Sequence, residues 1–414
     1  MTVQEKISAA EKKLISGGVF EKIDEIAYEN QKKVMAAFKK HQVSENCFVS
    51  STGYGYDDKG RETLDKVYAD VFECEKAFVR HNITSGTQTL CIGLFGLLRT
   101  GDTLFSVTGK PYDTLEEVIG IRGEKGNGSL SDFGIKYAEL QMKDGKIDVG
   151  GMKEYLKSDK SVKVVFIQRS KGYSVRRTLS SEEIGYAADE AHKINPGIFV
   201  IVDNCYGEFC EKHEPTYYGA DLVMGSLIKN PGGGMAECGG YIAGKARAVE
   251  LCGYRLTCPG IGLEAGATLG QNKNMFKGLF YAPHTVAQSL KTASLAAEVF
   301  KSEGFEVCPE PGEERHCIIQ TVALKTKENL LAFCKGIQSG APVDSHVTPE
   351  PWQMPGYACP VVMAAGAFTQ GSSIELSADA PCIEPFTVYM QGGLTYESGK
   401  IGIESALSEI MKLK

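Results

Sequence analysis

Two short apolar runs separated by one capped amphipathic stretch constrain this chain more than any other feature. Val162-Lys163-Val164-Val165-Phe166-Ile167-Gln168 and Phe199-Val200-Ile201-Val202-Asp203 are short and rich in β-branched residues, so both read as buried strands. Between them Ser180 and Glu183 have the spacing of a capping box, residues 180–194 read as a helix, and Asn195-Pro196-Gly197 stops it. Strand, helix, strand in this order implies parallel pairing with right-handed crossovers. The alternation extends from about residue 75 to 245, with further strands at 103–107, 222–225 and 240–243. Ligands of such sheets bind beyond the carboxyl ends of the strands, which puts Asp203 in the expected site.

The flanking segments suggest a larger architecture of three parts. Residues 1–45 read as an N-terminal helical arm broken at Ser16-Gly17-Gly18, residues 46–284 as a large domain, and residues 285–414 as a smaller α+β domain. In the arm, Val19, Ile23, Ile26, Val34 and Phe38 share a helical face that must pack on the chain's own body or on a neighbouring subunit. The net charge of −7 gives no electrostatic support to a nucleic-acid role. No apolar run reaches membrane-spanning length, and the first residues lack the layout of a signal peptide, so a cytoplasmic protein is expected. The 13 cysteines are scattered without a Cys-x-x-Cys pair, which points to reduced thiols and no metal site. Gly260-Ile261-Gly262-Leu263-Glu264-Ala265-Gly266 fails as a dinucleotide fingerprint, because its spacing is one residue too long and no acid follows at the ribose-binding distance.

Four local features can carry chemistry. Ser85-Gly86-Thr87, opening a helix, offers backbone N–H groups and a helix dipole to a phosphate; such turns also serve as ordinary caps. Asp203 ends an apolar strand, where a carboxylate needs a cation or must act as a turn former. Lys229 follows a strand and precedes Asn230-Pro231-Gly232-Gly233-Gly234, a run that permits close backbone approach to a ligand; a surface loop is the plain alternative. Ser226, three residues earlier, can add a hydroxyl to a phosphate site. Tyr112, after the strand read at 103–107, can stack on a flat heterocycle or simply pack.

Taken in order, a Ser-Gly-Thr turn, a stacking Tyr, a strand-end Asp and a Ser-x-x-Lys resemble the fold-type-I pyridoxal-phosphate enzymes. The chain is similar in particular to the cystathionine β-lyase and methionine γ-lyase related family called aluminium resistance proteins. The likeness rests on residues 168–174 (Gln-Arg-Ser-Lys-Gly-Tyr-Ser), 226–233, 257–262, 348–352, 373–379 and 391–396. It implies an α/β protein of the aspartate aminotransferase type, with a mostly parallel seven-stranded sheet and a small C-terminal α+β domain. It implies pyridoxal phosphate held by Lys229 as a Schiff base, with Asp203 on the pyridine nitrogen, Tyr112 stacked on the ring, and Ser85, Gly86, Thr87 and Ser226 on the phosphate. Tyr56 (or Tyr54) and Arg61 would reach a neighbouring subunit's phosphate, and Arg169 would lie near the ring hydroxyl. The implied assembly is a dimer with shared sites, paired into a tetramer. The implied reaction is β- or γ-elimination from a sulfur-containing amino acid or related amine. Aldol cleavage, transamination, or a weakly active cofactor-binding protein linked to metal tolerance are alternatives.

The resemblance fails at one point. Relatives carry an Arg after Ala-Asp-Gly-Pro-x, and this chain has Ile383 there; residues 316–414 contain no Arg. Arg169, Arg176 and Arg177 are the expected substitutes for gripping a substrate carboxylate. With the clamp lost, ordinary L-amino acids such as cystathionine are expected to be poor substrates.

Overall fold

The strands read from the sequence form the middle of one sheet. In the computed structural model, which describes residues 1–413 apart from 175 and 354–358, the sheet contains β1 (Lys76–Arg80), β2 (Thr103–Ser106), β3 (Lys136–Glu139), β4 (Val162–Gln168), β5 (Phe199–Asp203), β6 (Leu222–Ser226) and β7 (Gly240–Gly244). Their order is β1-β7-β6-β5-β4-β2-β3. Alternate residues of β4 enter different cores. Val164 and Phe166 pack with Leu90, Leu94 and Val249 under helices Gly86–Leu97 and Ala246–Leu256. Val165 and Ile167 pack with Val67, Ile184 and Ala188 under helices Lys59–Val71 and Ser181–Ile194. Helices on both faces explain why β4 and β5 are apolar along their length rather than alternating.

β2 through β6 pair in parallel, as expected, and β7 does not: it is antiparallel to both β6 and β1. Residues 227–239 return the chain through a short 3₁₀ turn at Asn230–Gly232 with no helical crossover, so the next strand must run back. The registers Gln168↔Asp203 and Asp203↔Met224 level the carboxyl ends of β4, β5 and β6.

A second, antiparallel sheet follows, with β8 (Glu306–Cys308), β9 (Gln320–Ala323), β10 (Val361–Ala365), β11 (Ser377–Pro381) and β12 (Thr387–Gln391) in the order β10-β11-β12-β9-β8. Helices Lys327–Ser339 and Tyr396–Met411 cover it, burying Phe333, Ile337, Ile403 and Leu407 against Val322, Ala378, Val388 and Met390. Both helices begin at a threonine whose hydroxyl accepts a first-turn N–H, Thr326 from Asn329 and Thr395 from Ser398.

The helix Asn272–Ser302 belongs to both cores. Met275, Phe276 and Leu279 enter the first and Leu295 and Phe300 the second. The expected boundary between 284 and 285 falls inside this helix. The N-terminal helices Val3–Ser16 and Val19–Lys40 pack on the chain's own body: Ile7, Ala10 and Leu14 join Leu295 and Phe300, and Lys13 pairs with Glu298 at 2.6 Å. Among the described residues no helix is long and apolar enough to cross a membrane.

The turn after Lys229 is held by backbone contact. A Cβ on Gly278, within the long helix, would lie 2.4 Å from the Gly232 carbonyl oxygen. Alanine ordinarily favours a helix interior by up to about 1 kcal/mol over glycine; overpacking against rigid backbone costs about 1–3 kcal/mol. Gly278→Ala should therefore lower stability by roughly 1–2 kcal/mol, read from a denaturant midpoint. A raised midpoint would show that the turn yields freely.

Candidate active site

The levelled strand ends open into a cleft closed on its far side by the second sheet. Gln168 ends β4, Asp203 ends β5, and Lys229 lies three residues past β6; Tyr112 and Tyr173 come from the loops beyond β2 and β4. Asp379 of β11 and Tyr389 and Gln391 of β12 form the opposite wall, with Ile319 beside them. The cleft therefore brings together Tyr112, Asp203 and Lys229, the three residues expected to act directly in chemistry.

Local structure fixes each of them. The Tyr112 N–H donates to the Gln168 side chain at 2.7 Å, and its ring meets Tyr173 edge-on at 5.8 Å. Asp203 accepts the Cys205 N–H at 3.2 Å. The Lys229 ammonium sits 4.0 Å above the Tyr206 ring centroid, a cation–π contact in a buried setting. Tyr206 has φ of +73°, a strained conformation for an aromatic residue and one that aims its ring at the lysine.

The electrostatics are those of buried opposite charges. Burial pushes the Asp203 carboxyl above its ordinary value, and Lys229 pulls it partly back. Burial alone would lower the Lys229 ammonium, but Cys205, Tyr206 and Asp203 outweigh it and the net direction is up. Cys205 and Tyr206 are themselves pushed up by burial. The sequence suggested positive surroundings that would strip the lysine of its proton; the structure puts a carboxylate there instead. On the opposite wall, burial raises Asp379, while Gln391, Tyr173 and Lys229 oppose the shift.

The expected phosphate residues adjoin this cleft. The helix Gly86–Leu97 starts at Ser85, whose hydroxyl accepts the Gln88 N–H at 3.0 Å. A Cβ on Gly86 would touch the Ser226 side chain at 3.5 Å and Cys205 at 3.6 Å. Glycine thus brings the turn and its first N–H groups, which have no helical acceptor, against a residue of the cleft wall. Thr87 and Thr114 share a hydroxyl–hydroxyl bond of 2.7 Å that ties the turn to the Tyr112 loop. These features fit a flat cationic heterocycle with a phosphate tail. A buried carboxylate lies at one end, a helix start with hydroxyls at the other, and a half-buried lysine stands over an aromatic ring.

Other expectations need correction. Arg169 does not line the cleft: it is 0% exposed and points behind the sheet, ion-paired with Glu211 and Glu214, and donating to Asn204 (2.7 Å) and Ser181 (3.0 Å). Arg176 donates to the main-chain carbonyls of Gln168 and Ser170, and Arg177 pairs with Glu183, so neither lines the cleft as a carboxylate fork. Ile383 is 60% exposed and lies outside the cleft lining. Arg61 is buried with its guanidinium on the carbonyls of Gly55, Glu264 and Gly266, where it fixes the 53–57 loop. Tyr54 and Tyr56 are stacked at 5.6 Å and are 75% and 56% exposed. Tyr173, Tyr206, Asp379, Tyr389 and Gln391 had no role assigned from the sequence; three of them lie in the quoted 168–174, 373–379 and 391–396 segments, whose long specific runs were the available signal.

The fold recurs in the pyridoxal-5′-phosphate dependent protein YhfS of Escherichia coli, with a TM-score of 0.64 at 14% identity over 95% of this chain and 97% of that one. Closer similarity is found to a crystal structure described as a carbon-sulfur lyase involved in aluminum resistance from Clostridium novyi. It has a TM-score of 0.95 at 48% identity, covering 99% of this chain and 96% of the other. The Bacillus subtilis protein YnbB is 49% identical over 408 residues, 98% of this chain and 96% of its own length. The methionine gamma-lyase family model matches residues 3–411, and the chain belongs to that family.

The Arg169 cluster makes two predictions. Arg169→Met removes the arginine that Glu211 and Glu214 share and should cost about 3–5 kcal/mol of unfolding free energy, read from a denaturant midpoint. Glu211 is raised by burial but lowered further by the Arg169 charge, for a net depression. Its stabilisation is complete above the unfolded carboxylate value of about 4.3 and is lost as pH falls through the depressed one. Melting temperatures taken between roughly pH 5 and pH 2 should fall less steeply for Glu211→Gln than for the native chain.

Proposed function

We propose that this protein is a pyridoxal-phosphate dependent carbon–sulfur lyase. The observation that carries the reading is the meeting of Lys229, Asp203 and Tyr112 in one buried cleft beside the Ser85-Gly86-Thr87 turn. Family membership and the lyase described from Clostridium novyi support the reaction class.

Bound pyridoxal phosphate supplies an electron sink for charge that develops at a carbon next to the substrate nitrogen. Lys229 would anchor the cofactor and would take the proton from that carbon. Asp203 would keep a proton on the ring nitrogen, and its burial would make that contact strong because water does not compete. Tyr112 would cover the face of the heterocycle. Ser85, Gly86, Thr87 and Ser226 would hold the phosphate through N–H groups and hydroxyls. The sulfur leaves from the β- or γ-carbon with the electron pair of the carbon–sulfur bond. Tyr56, or Tyr54 stacked on it, would serve a neighbouring subunit in a dimer or a pair of dimers; Arg61 is bound to carbonyls of its own chain. The protein is expected in the cytoplasm.

Purified protein supplied with the cofactor should show a visible absorbance band, and Lys229→Ala should lose it. A sulfur-containing substrate should yield thiol, ammonia and 2-oxo acid in equal amounts. A band that survives in Lys229→Ala would move the anchor elsewhere, and an amino-transfer product without ammonia would replace the lyase reading by transamination.

A further inference from the structure

Outside the cleft, one buried lysine has a thiol where an ion pair is expected. Lys171 lies just past β4, between the cleft residues Ser170 and Gly172, and is 1% exposed. Its ammonium donates to the Cys308 carbonyl at 3.1 Å and to the Cys308 sulfur at 3.4 Å. Among the described residues it forms no ion pair, whereas Arg169, two residues earlier and also buried, has two carboxylates. Burying an ammonium away from any carboxylate is costly. Among the described residues the Cys308 sulfur is its one hydrogen-bond partner able to become an anion.

The sulfur is held in place. Cys308 ends β8, the edge strand of the antiparallel sheet, and pairs with Thr321 of β9, whose hydroxyl donates to the Cys308 carbonyl at 2.9 Å. The residue is half-buried, so a small solute can approach it, and its thiol is free. A thiol reacts with a peroxide as its anion, and Lys171 is the cation beside it. The sulfenic acid so formed either takes up a second peroxide or is captured by a neighbouring nucleophile. A second peroxide must arrive from dilute solution. The Lys171 nitrogen is already at 3.4 Å, within the roughly 3–3.5 Å of a pair poised to react.

We propose that Lys171 and Cys308 form an oxidative modification site, at which a peroxide converts the pair into a sulfur–nitrogen cross-link. Sulfur attacks one peroxide oxygen, the oxygen–oxygen bond breaks, and the departing oxygen takes a proton from Lys171 to leave as water. The lone pair of the Lys171 amine then attacks sulfur. The sulfur–oxygen bond breaks, and the hydroxide leaves as water with a proton from the nitrogen. Sulfur loses two electrons and the peroxide gains them, so that a thiolate, an ammonium and one peroxide give one sulfenamide and two waters. The new bond ties the segment that carries Tyr173 to the second sheet, across 137 residues of chain. It depends neither on the cofactor nor on the lyase reading.

The test treats the purified full chain with hydrogen peroxide at a dose that oxidises the exposed Cys258, digests it without reductant and weighs the peptides by mass spectrometry. A linked pair holding residues 171 and 308, two hydrogens lighter than the sum of its parts, should form, and dithiothreitol should release it. Cys308→Ser should abolish the pair. Lys171→Met should also abolish it and let Cys308 run on to the sulfinic acid. The native chain decides the matter even where a variant folds poorly. In it, a sulfinic acid or a disulfide at Cys308 with Lys171 unmodified, or a Cys308 thiol that survives that dose, would overturn the proposal. A linked pair that forms equally in protein unfolded by urea beforehand would do the same, since the folded contact would then play no part.

Discussion

An acid and an amine brought together beyond the ends of adjacent parallel strands are the constraint on which the site depends. Asp203 is buried and Lys229 half-buried, each acts on the other's titration, and a lone charge in such a place is costly. The sheet makes the meeting possible because its registers level β4, β5 and β6. The remaining geometry serves the same pair. Tyr206 adopts a left-handed backbone to put its ring beneath the ammonium, and the close approach of Gly232 to Gly278 holds the turn that follows Lys229. Beneath them Glu208 is pushed up to about 8 by burial and receives the Tyr241 hydroxyl at 2.8 Å, so near neutrality it adds little competing charge.

Two supports keep the cleft walls in place. Arg169 ties the segment after β4 to the segment after β5 through Glu211, Glu214 and Asn204. Because those segments carry Tyr173 and Tyr206, an ion-pair cluster outside the cleft sets the position of two residues inside it. The second support is the helix Asn272–Ser302, which runs unbroken from one core to the other and so fixes the antiparallel sheet against the parallel one. Tyr173 links the two walls directly, through its hydroxyl on Asp379 and its carbonyl beneath Tyr389.

The sequence made legible what depends on neighbours along the chain. The apolar strand runs, the Ser180 capping box and the Ser85 turn are local, and the structure has each of them at the expected place. Asp203 was visible because it closes an apolar strand, and Lys229 because it follows one and precedes a glycine run. Arg169 was misplaced because successive strand residues point to opposite sides. Gln168 faces the cleft and Arg169, one residue on, faces away, and nothing in the local pattern says which of the two turns inward. Asp379, Tyr389 and Gln391 had no role assigned because their importance comes from the pairing of β11 with β12 and from the contact of that sheet with Tyr173, both long-range. The antiparallel β7 was hidden for a related reason: direction is set by the absence of a crossover helix, and a glycine-rich segment does not declare its path.

The substitution at position 383 looks decisive in the sequence and much less so in the structure. A side chain that is 60% exposed and outside the cleft lining does not govern what binds there. The wall residues do, and they carry one cation, Lys229, against two carboxylates. The Ser85-Gly86-Thr87 turn offers hydroxyls and backbone N–H groups at a helix start, and Arg61, the arginine expected to reach a neighbouring subunit's phosphate, is bound to three carbonyls. The described cleft thus offers dipoles to an anion and carboxylates to cations. That division follows from the fold, which presents helix N-termini at one end of the sheet and strand-end acids at its centre.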